Sequence, residues 1–262
     1  MAQGDDVYTF GTSQTAARRL ALLAGVYEPG TRKLLARWAP PKVVHAVDLG
    51  AGPGHTTRLL HAVTGAERTT GVERSADFVA MARQGAPDGV SYVEADVTRD
   101  PLPVDPADVM HARFVLTHLS SPRSAVRIWG GALAPGGRLI LQEVARLVSR
   151  EPVLGRYYEL VAELQLHHGQ ALDVGQRLAE FADGSGLRLE HQAIRPWYPP
   201  TAAMAGLHVL NLRNWRVDPY ARSGFDPDEL DALDDALLEI ARGRGCEPIE
   251  QDLAEVVLAA PA

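Results

Sequence analysis

Residues 44–58 read Val44-His-Ala-Val-Asp-Leu-Gly-Ala-Gly-Pro-Gly-His-Thr-Thr-Arg58, and no other segment restricts the fold as much. An apolar run ends on Asp48, turns through Gly50-x-Gly52-x-Gly54 and enters a helix start at His55-Thr56-Thr57. Glycine tolerates positive φ and lets backbone approach a ligand closely, while a new helix offers free N–H groups. The same alternation continues downstream. Strand-like runs cover 43–49, 68–73, 89–94, 108–111 and 137–143, with helix-like stretches at 55–63, 75–85 and 122–133 between them. Strands alternating with helices over short connections predict βαβ units and a parallel sheet. Pro101, Pro103 and Pro106 make 98–106 a loop without a long helix.

Carboxylates mark the ends of successive strands. Glu73 closes the second, 23 residues after Gly50, where an acid can accept both hydroxyls of a ribose. Asp96 closes the third. The glycine spacing is G-x-G-x-G with an acid just before it; the dinucleotide fingerprint is G-x-G-x-x-G. That favours a nucleoside ligand without a pyrophosphate. A nicotinamide oxidoreductase would also call for a catalytic Tyr/Lys pair, and Lys33 and Lys42 fall outside any plausible site. With 26 basic against 33 acidic residues, a net charge of −7 argues against nucleic acid as the main partner. A lone Cys246 builds neither an internal disulfide nor a cysteine zinc site. No apolar run reaches the roughly 20 residues of a membrane span, and the N-terminus lacks the order of a signal peptide, so a cytoplasmic chain is expected.

Outside the alternating part the texture changes. Residues 13–37 carry an apolar stripe broken at Pro29, which predicts two helices. Downstream, 152–182 reads as one long helical stretch, 187–198 as a strand, 201–215 and 226–242 as helices, and 250–260 as a terminal strand. The chain therefore divides into residues 1–37, 38–150 and 151–262.

Residues 43–147 resemble a class I S-adenosylmethionine-dependent methyltransferase, of the branch similar to ubiquinone/menaquinone-type and natural-product enzymes. The matching pieces are Asp48-Leu-Gly-Ala-Gly-Pro-Gly54, Gly71-Val-Glu73, Glu94-Ala-Asp96, Pro101-Leu-Pro103, residues 107–118 and residues 133–143. The resemblance implies a Rossmann-like α/β fold, seven strands mostly parallel with an antiparallel seventh at 252–258, N-terminal lid helices and a helical substrate cap. It implies S-adenosylmethionine as cofactor, bound by Asp48, Gly50, Gly52, Glu73, Asp96 and Val97. Ala112 and Arg113 would stand at the sulfonium end, and Tyr8 and Arg19 would reach over from the lid. Methyl transfer to oxygen, nitrogen or carbon of a small molecule in secondary metabolism is expected, by a chain free to form a homodimer. A protein that binds the cofactor but catalyses a cyclisation is the rival reading.

His111 and His118 follow the fourth strand, where a histidine with an ordinary pKa of ~6.5 can take a proton. They are the candidate catalytic bases. His45 and His61 read as surface residues away from the crevice. His167 and His168, adjacent on a helix, point about 100° apart and do not chelate one metal; no metal site is expected. Aromatic and amide side chains concentrate late in the chain, and His168, Trp197, Tyr198, Asn211 and Trp215 are the expected wall of the acceptor pocket.

Overall fold

The computed structural model describes residues 14–262. Tyr8, Phe10 and the remainder of the expected 1–12 lid segment lie outside the described residues. The strands are β1 (His45–Leu49), β2 (Arg68–Glu73), β3 (Val90–Glu94), β4 (Ala107–Arg113), β5 (Leu133–Ser149), β6 (Arg188–Trp197) and β7 (Ile249–Ala259). They form one sheet in the order β3-β2-β1-β4-β5-β7-β6. β1 pairs in parallel with β2 and β4, as do β2 with β3 and β4 with β5, whereas β7 runs antiparallel to both β5 and β6. β1 is buried along its whole length, as a central parallel strand must be.

Helices α2 (His55–Thr64), α3 (Ala76–Gln84) and α4 (Pro122–Gly131) cover the sheet. Loop 98–106 carries no helix, as its prolines require. The Ser75 side chain caps α3 by accepting from Phe78 N–H. The N-terminal helix departs from expectation: α1 (Gln14–Trp38) is a single helix that runs through Pro29. Tertiary anchors override the proline. The buried Tyr27 hydroxyl donates to Gln251 Oε1 at 2.7 Å, Thr31 donates to Gln142 Oε1 at 2.8 Å, and Leu34 and Leu35 sit in the core with Leu59 and Ile140.

The expected 152–182 helix is also corrected. α5 (Pro152–His167) stops before Gly169, which takes φ 69°, and the chain resumes as a 3₁₀ segment, Val174–Ala182. The cap is completed by α6 (Thr201–Trp215), α7 (Pro219–Gly224) and α8 (Pro227–Ala241). Leu154, Leu160 and Leu164 of α5 pack with Leu207 and Leu212 of α6 and Leu237 of α8 in a second core of their own. His45 is not at the surface: it is buried on β1, with its ring nitrogens 3.2 Å from the Pro106 carbonyl and 3.0 Å from Thr70 Oγ1. His61 is half-buried and stays away from the crevice. Among the described residues no helix is long and apolar enough to cross a membrane.

Candidate active site

The strand order reverses between β1 and β4, and open α/β sheets take their ligands outside the carboxyl ends at that point. A cleft of about 1070 Å³, part of it open to solvent, lies there. Gly50, Gly52, Glu73 and Asp96 make one wall; Arg19, Leu20, Leu23 and Ala24 of α1 make the opposite one. Arg113, Phe114, Val115 and His118 form the floor after β4.

The glycine turn is fixed from two sides. Gly50 takes φ 67°, and a Cβ there would stand 2.7 Å from a Val115 methyl. From below, Asp48 Oδ2 accepts from the hydroxyls of Thr56 and Thr57 at 2.7 Å each, tying the first turn of α2 to β1. Glu73 Oε2 accepts from Gly52 N–H at 2.9 Å and Oε1 from Ser75 N–H at 2.8 Å. Burial pushes this carboxyl above the usual range, against those two hydrogen bonds. Asp96 stays exposed, with Oδ1 accepting from both the backbone N–H and the hydroxyl of Thr98.

The floor turn depends on a residue that motif reading passes over. Phe114 takes φ 57°, a left-handed conformation rare for a bulky side chain. Glu143, fully buried on β5, holds that turn: its Oε1 accepts from Val115 N–H at 2.8 Å and Leu116 N–H at 2.7 Å. Burial pushes its carboxyl up to about 8, so it is mostly protonated at neutral pH. The available signal was a lone acid at the end of an apolar strand, and it does not distinguish this role from solvent exposure beyond the sheet. His118 lines the cleft, but burial, then the charges of Arg19 and Arg74, lower its pKa to about 3. It is a neutral hydrogen-bonding ring and a poor base.

The model of a methyltransferase domain matches residues 47–141, which hold the glycine turn, Glu73, Asp96 and the floor turn. The trans-aconitate 2-methyltransferase of Escherichia fergusonii is 36% identical over 199 residues, covering 68% of this chain and 75% of that enzyme. The chain belongs to the class I S-adenosylmethionine-dependent methyltransferases. The trans-aconitate 2-methyltransferase of Klebsiella pneumoniae is 38% identical over 109 residues, and that match spans only 42% of either chain. The crystal structure of the [4+2]-cyclase SpnF superposes with a TM-score of 0.56 at 20% identity, covering 98% of this chain and 86% of that one, a likeness of fold.

The cleft fits the cofactor of this methyltransferase family. Glu73 and Asp96 offer carboxylates that can accept from hydroxyls or an amine, and Val97 and Phe78 supply apolar wall. Gly50, Gly52, Glu73, Asp96, Val97, Arg19 and Arg113 are thus brought together as expected. Three expected site residues are not. Asp48 is buried beneath the turn and organises it from behind. His111, its register partner on β4, has Nδ1 3.2 Å from Asp48 Oδ1 and no exposure to the cleft, which removes it as a catalytic base. Ala112 points into the sheet core. Asp48 and His111 pair in register below the carboxyl edge of the sheet, and the adjacent Ala112 points to the opposite face.

The expected acceptor wall is corrected too. His168 Nε2 is 3.1 Å from Asp218 Oδ2, joining α5 to α7. Trp197 packs toward Tyr27 with ring centroids 6.3 Å apart, and Tyr198 is 71% exposed. None of these three lines the cleft. Asn211 and Trp215 do not line it either, but they belong to a polar seam buried between α5 and α6. On α6, His208, Asn211 and Trp215 share a face, and the Tyr157 ring of α5 stacks on His208 with centroids 4.4 Å apart. The buried Tyr157 hydroxyl meets Asn211 and Trp215 there, while Gln165 Oε1 and His208 Nδ1 are buried without a hydrogen-bond partner.

Proposed function

We propose that this methyltransferase transfers the methyl group of S-adenosylmethionine to a carboxylate oxygen of a small organic acid. The observation that carries the reading is His118: this ring lines the cleft at the floor turn, and burial, then the charges of Arg19 and Arg74, lower its pKa to about 3 and keep it neutral. A hydroxyl acceptor needs a base, and this ring is far too weak a one at neutral pH. A carboxylate, with an ordinary pKa near 4, arrives already ionised and is drawn to two guanidinium groups. The relatives at 36% and 38% identity are named for trans-aconitate, an acid whose nucleophiles are its carboxylates.

When bound, S-adenosylmethionine supplies a methyl group on a sulfonium, open to an oxygen lone pair with no proton to remove. The chain's residues bind and orient. Glu73 accepts from the ribose hydroxyls, Asp96 from the adenine amine, and Gly50 and Gly52 pass beneath the amino-acid tail. The wall of α1 with Leu20 and Leu23 excludes water, which strengthens every charge interaction inside. Arg19 belongs with the acceptor in this reading, because its charge acts on His118 and on Tyr157 of the cap.

Incubation with methyl-labelled S-adenosylmethionine and a panel of acids, phenols and amines tests this directly. Label in an alkali-labile ester of trans-aconitate or a related acid is the expected outcome. Label only in an alkali-stable ether or amine would overturn the carboxylate assignment.

A further inference from the structure

A second cavity, of about 780 Å³ and open to solvent, lies between α1 and α2 beside the cleft. Ala24, His55, Thr56 and Arg113 line both cavities. Two of these four, Arg113 and His55, carry hydrogen-bond donors that the fold leaves unspent. Arg113 ends β4 and donates from Nη1 to Thr31 Oγ1 at 3.0 Å, with its guanidinium 5.7 Å from the centre of the Phe114 ring. Among the described residues no carboxylate pairs with it. The acids whose charge reaches it are engaged elsewhere: Asp48 with Thr56 and Thr57, Glu28 with Arg32 at 2.7 Å. Burial lowers the Arg113 pKa to about 10, which leaves the group charged at neutral pH.

The proton on His55 is placed by its neighbour. Arg58 Nη2 lies 3.3 Å from His55 Nδ1, and a guanidinium has donors only, so Nδ1 accepts and the neutral ring carries its proton on Nε2. Burial, then the charges of Arg58 and Arg113, lower the His55 pKa and keep the ring neutral. Its Nε2–H has no partner among the described residues. The side cavity is lined by three arginines, Arg32, Arg58 and Arg113, against one acid, Glu28. A carboxylate suits this junction: its two oxygens accept from a guanidinium and an imidazole N–H, and its charge offsets that of Arg113.

We propose that Arg113 and His55 form a carboxylate clamp where the cleft meets the side cavity. This rests on the methyltransferase reading above, which brings two such groups to the cleft: the carboxylate that ends the cofactor's amino-acid tail, and the non-reacting carboxylate of a di- or tricarboxylic acceptor. Strand order favours the tail. Asp96 follows β3, Glu73 ends β2, the glycine turn follows β1 and Arg113 ends β4, its neighbour in the sheet. A nucleoside held at Asp96 and Glu73 with its tail over the glycine turn therefore directs that tail toward Arg113.

Calorimetry on the full chain tests the clamp with three probes. They are S-adenosylhomocysteine, methylthioadenosine, which keeps the nucleoside and thioether but has no amino-acid tail, and trans-aconitate added to protein saturated with S-adenosylhomocysteine. Arg113→Met removes the guanidinium and keeps an apolar stem. His55→Phe keeps a ring and removes the N–H at a half-buried position, so it reads the clamp even where loss of the Thr31 contact unfolds Arg113→Met. A tail carboxylate in the clamp makes both variants bind S-adenosylhomocysteine roughly tenfold or more weakly, the scale of one lost hydrogen bond to a charged group, and methylthioadenosine within about twofold of the parent. An acceptor carboxylate there leaves S-adenosylhomocysteine within about twofold and weakens trans-aconitate by roughly tenfold or more. Either result supports the clamp and identifies what fills it. Affinities within about twofold of the parent for all three probes, in His55→Phe or in folded Arg113→Met, would overturn it. So would equal losses for S-adenosylhomocysteine and methylthioadenosine, the mark of a distorted cleft. A parent that does not bind S-adenosylhomocysteine would overturn the methyltransferase reading itself.

Discussion

The cofactor end of the cleft and the interface of α5 with α6 bury polar groups against different partners. At the cofactor end every acid is engaged by the fold: Asp48 with Thr56 and Thr57, Glu73 with Gly52 and Ser75, Glu143 with Val115 and Leu116. Between α5 and α6 the polar groups meet one another: the Tyr157 hydroxyl lies against Asn211 and Trp215, and His208 Nε2 is 3.0 Å from the Tyr158 hydroxyl. The first region is preorganised, so that its backbone is set before a ligand enters. The second is held by side chains of α5 and α6 packed on one another.

The contrast is broken most severely at Glu143. Glu143→Ala leaves two buried N–H groups without an acceptor and should cost about 2–6 kcal/mol of stability, measured by denaturant unfolding. Glu143→Gln retains a carbonyl oxygen for both and should recover most of that loss. The pair also has a pH signature. A folded-state pKa of about 8 against an ordinary 4.5 means that between these values the folded chain keeps a proton the unfolded chain has released. Stability therefore falls as pH rises through that window. Between pH 6 and 8 the parent should lose stability more steeply than Glu143→Gln; equal slopes would show that the carboxyl does not titrate there.

A smaller effect is expected at Glu73, where the damage is to affinity. Glu73→Ala should weaken S-adenosylmethionine binding by about 1.5–3 kcal/mol, the scale for hydrogen bonds to a charged group, and frees Gly52 N–H as well. Calorimetry decides it: binding as tight as the parent's would mean the ribose is held elsewhere.

The same contrast governs what could be read from sequence. The glycine turn, Glu73 and Asp96 were legible because strand ends and helix starts have local signatures, and the β1–β4 switch point follows from strand order. Which side a strand residue faces was not. Asp48 and His111 lie one or two residues short of the cleft edge, and that displacement turned two expected site residues into supports. Pro29 misled because a local rule was outweighed by the distant partners of Tyr27 and Thr31. In the cap, Asn211 and Trp215 were picked out by composition, but only the packing of α5 on α6 shows that they meet the buried Tyr157 hydroxyl away from the cleft. Glu143 was invisible because its partners are backbone groups 27 and 28 residues away.

The smallest effect is expected at His118, and it separates the two ways a carboxylate and a hydroxyl acceptor would use this site. The ring sits on the boundary between the two regions, lining the cleft while Gln170 ties its backbone to the cap. With a pKa near 3 it is neutral throughout the physiological range and gains a proton only in strong acid. His118→Gln preserves a neutral polar side chain, so kcat should fall less than about tenfold, well short of the 10²–10⁴-fold loss that follows removal of a general base. The parent's pH–rate profile should show no inflection near 6.5 that disappears in the variant. A hundredfold loss, or such an inflection, would restore histidine as the base and bring a hydroxyl acceptor back. A small loss with a flat profile leaves the acceptor carrying its own charge into the site, where Arg19 and Arg74 attract it and nothing needs to be deprotonated.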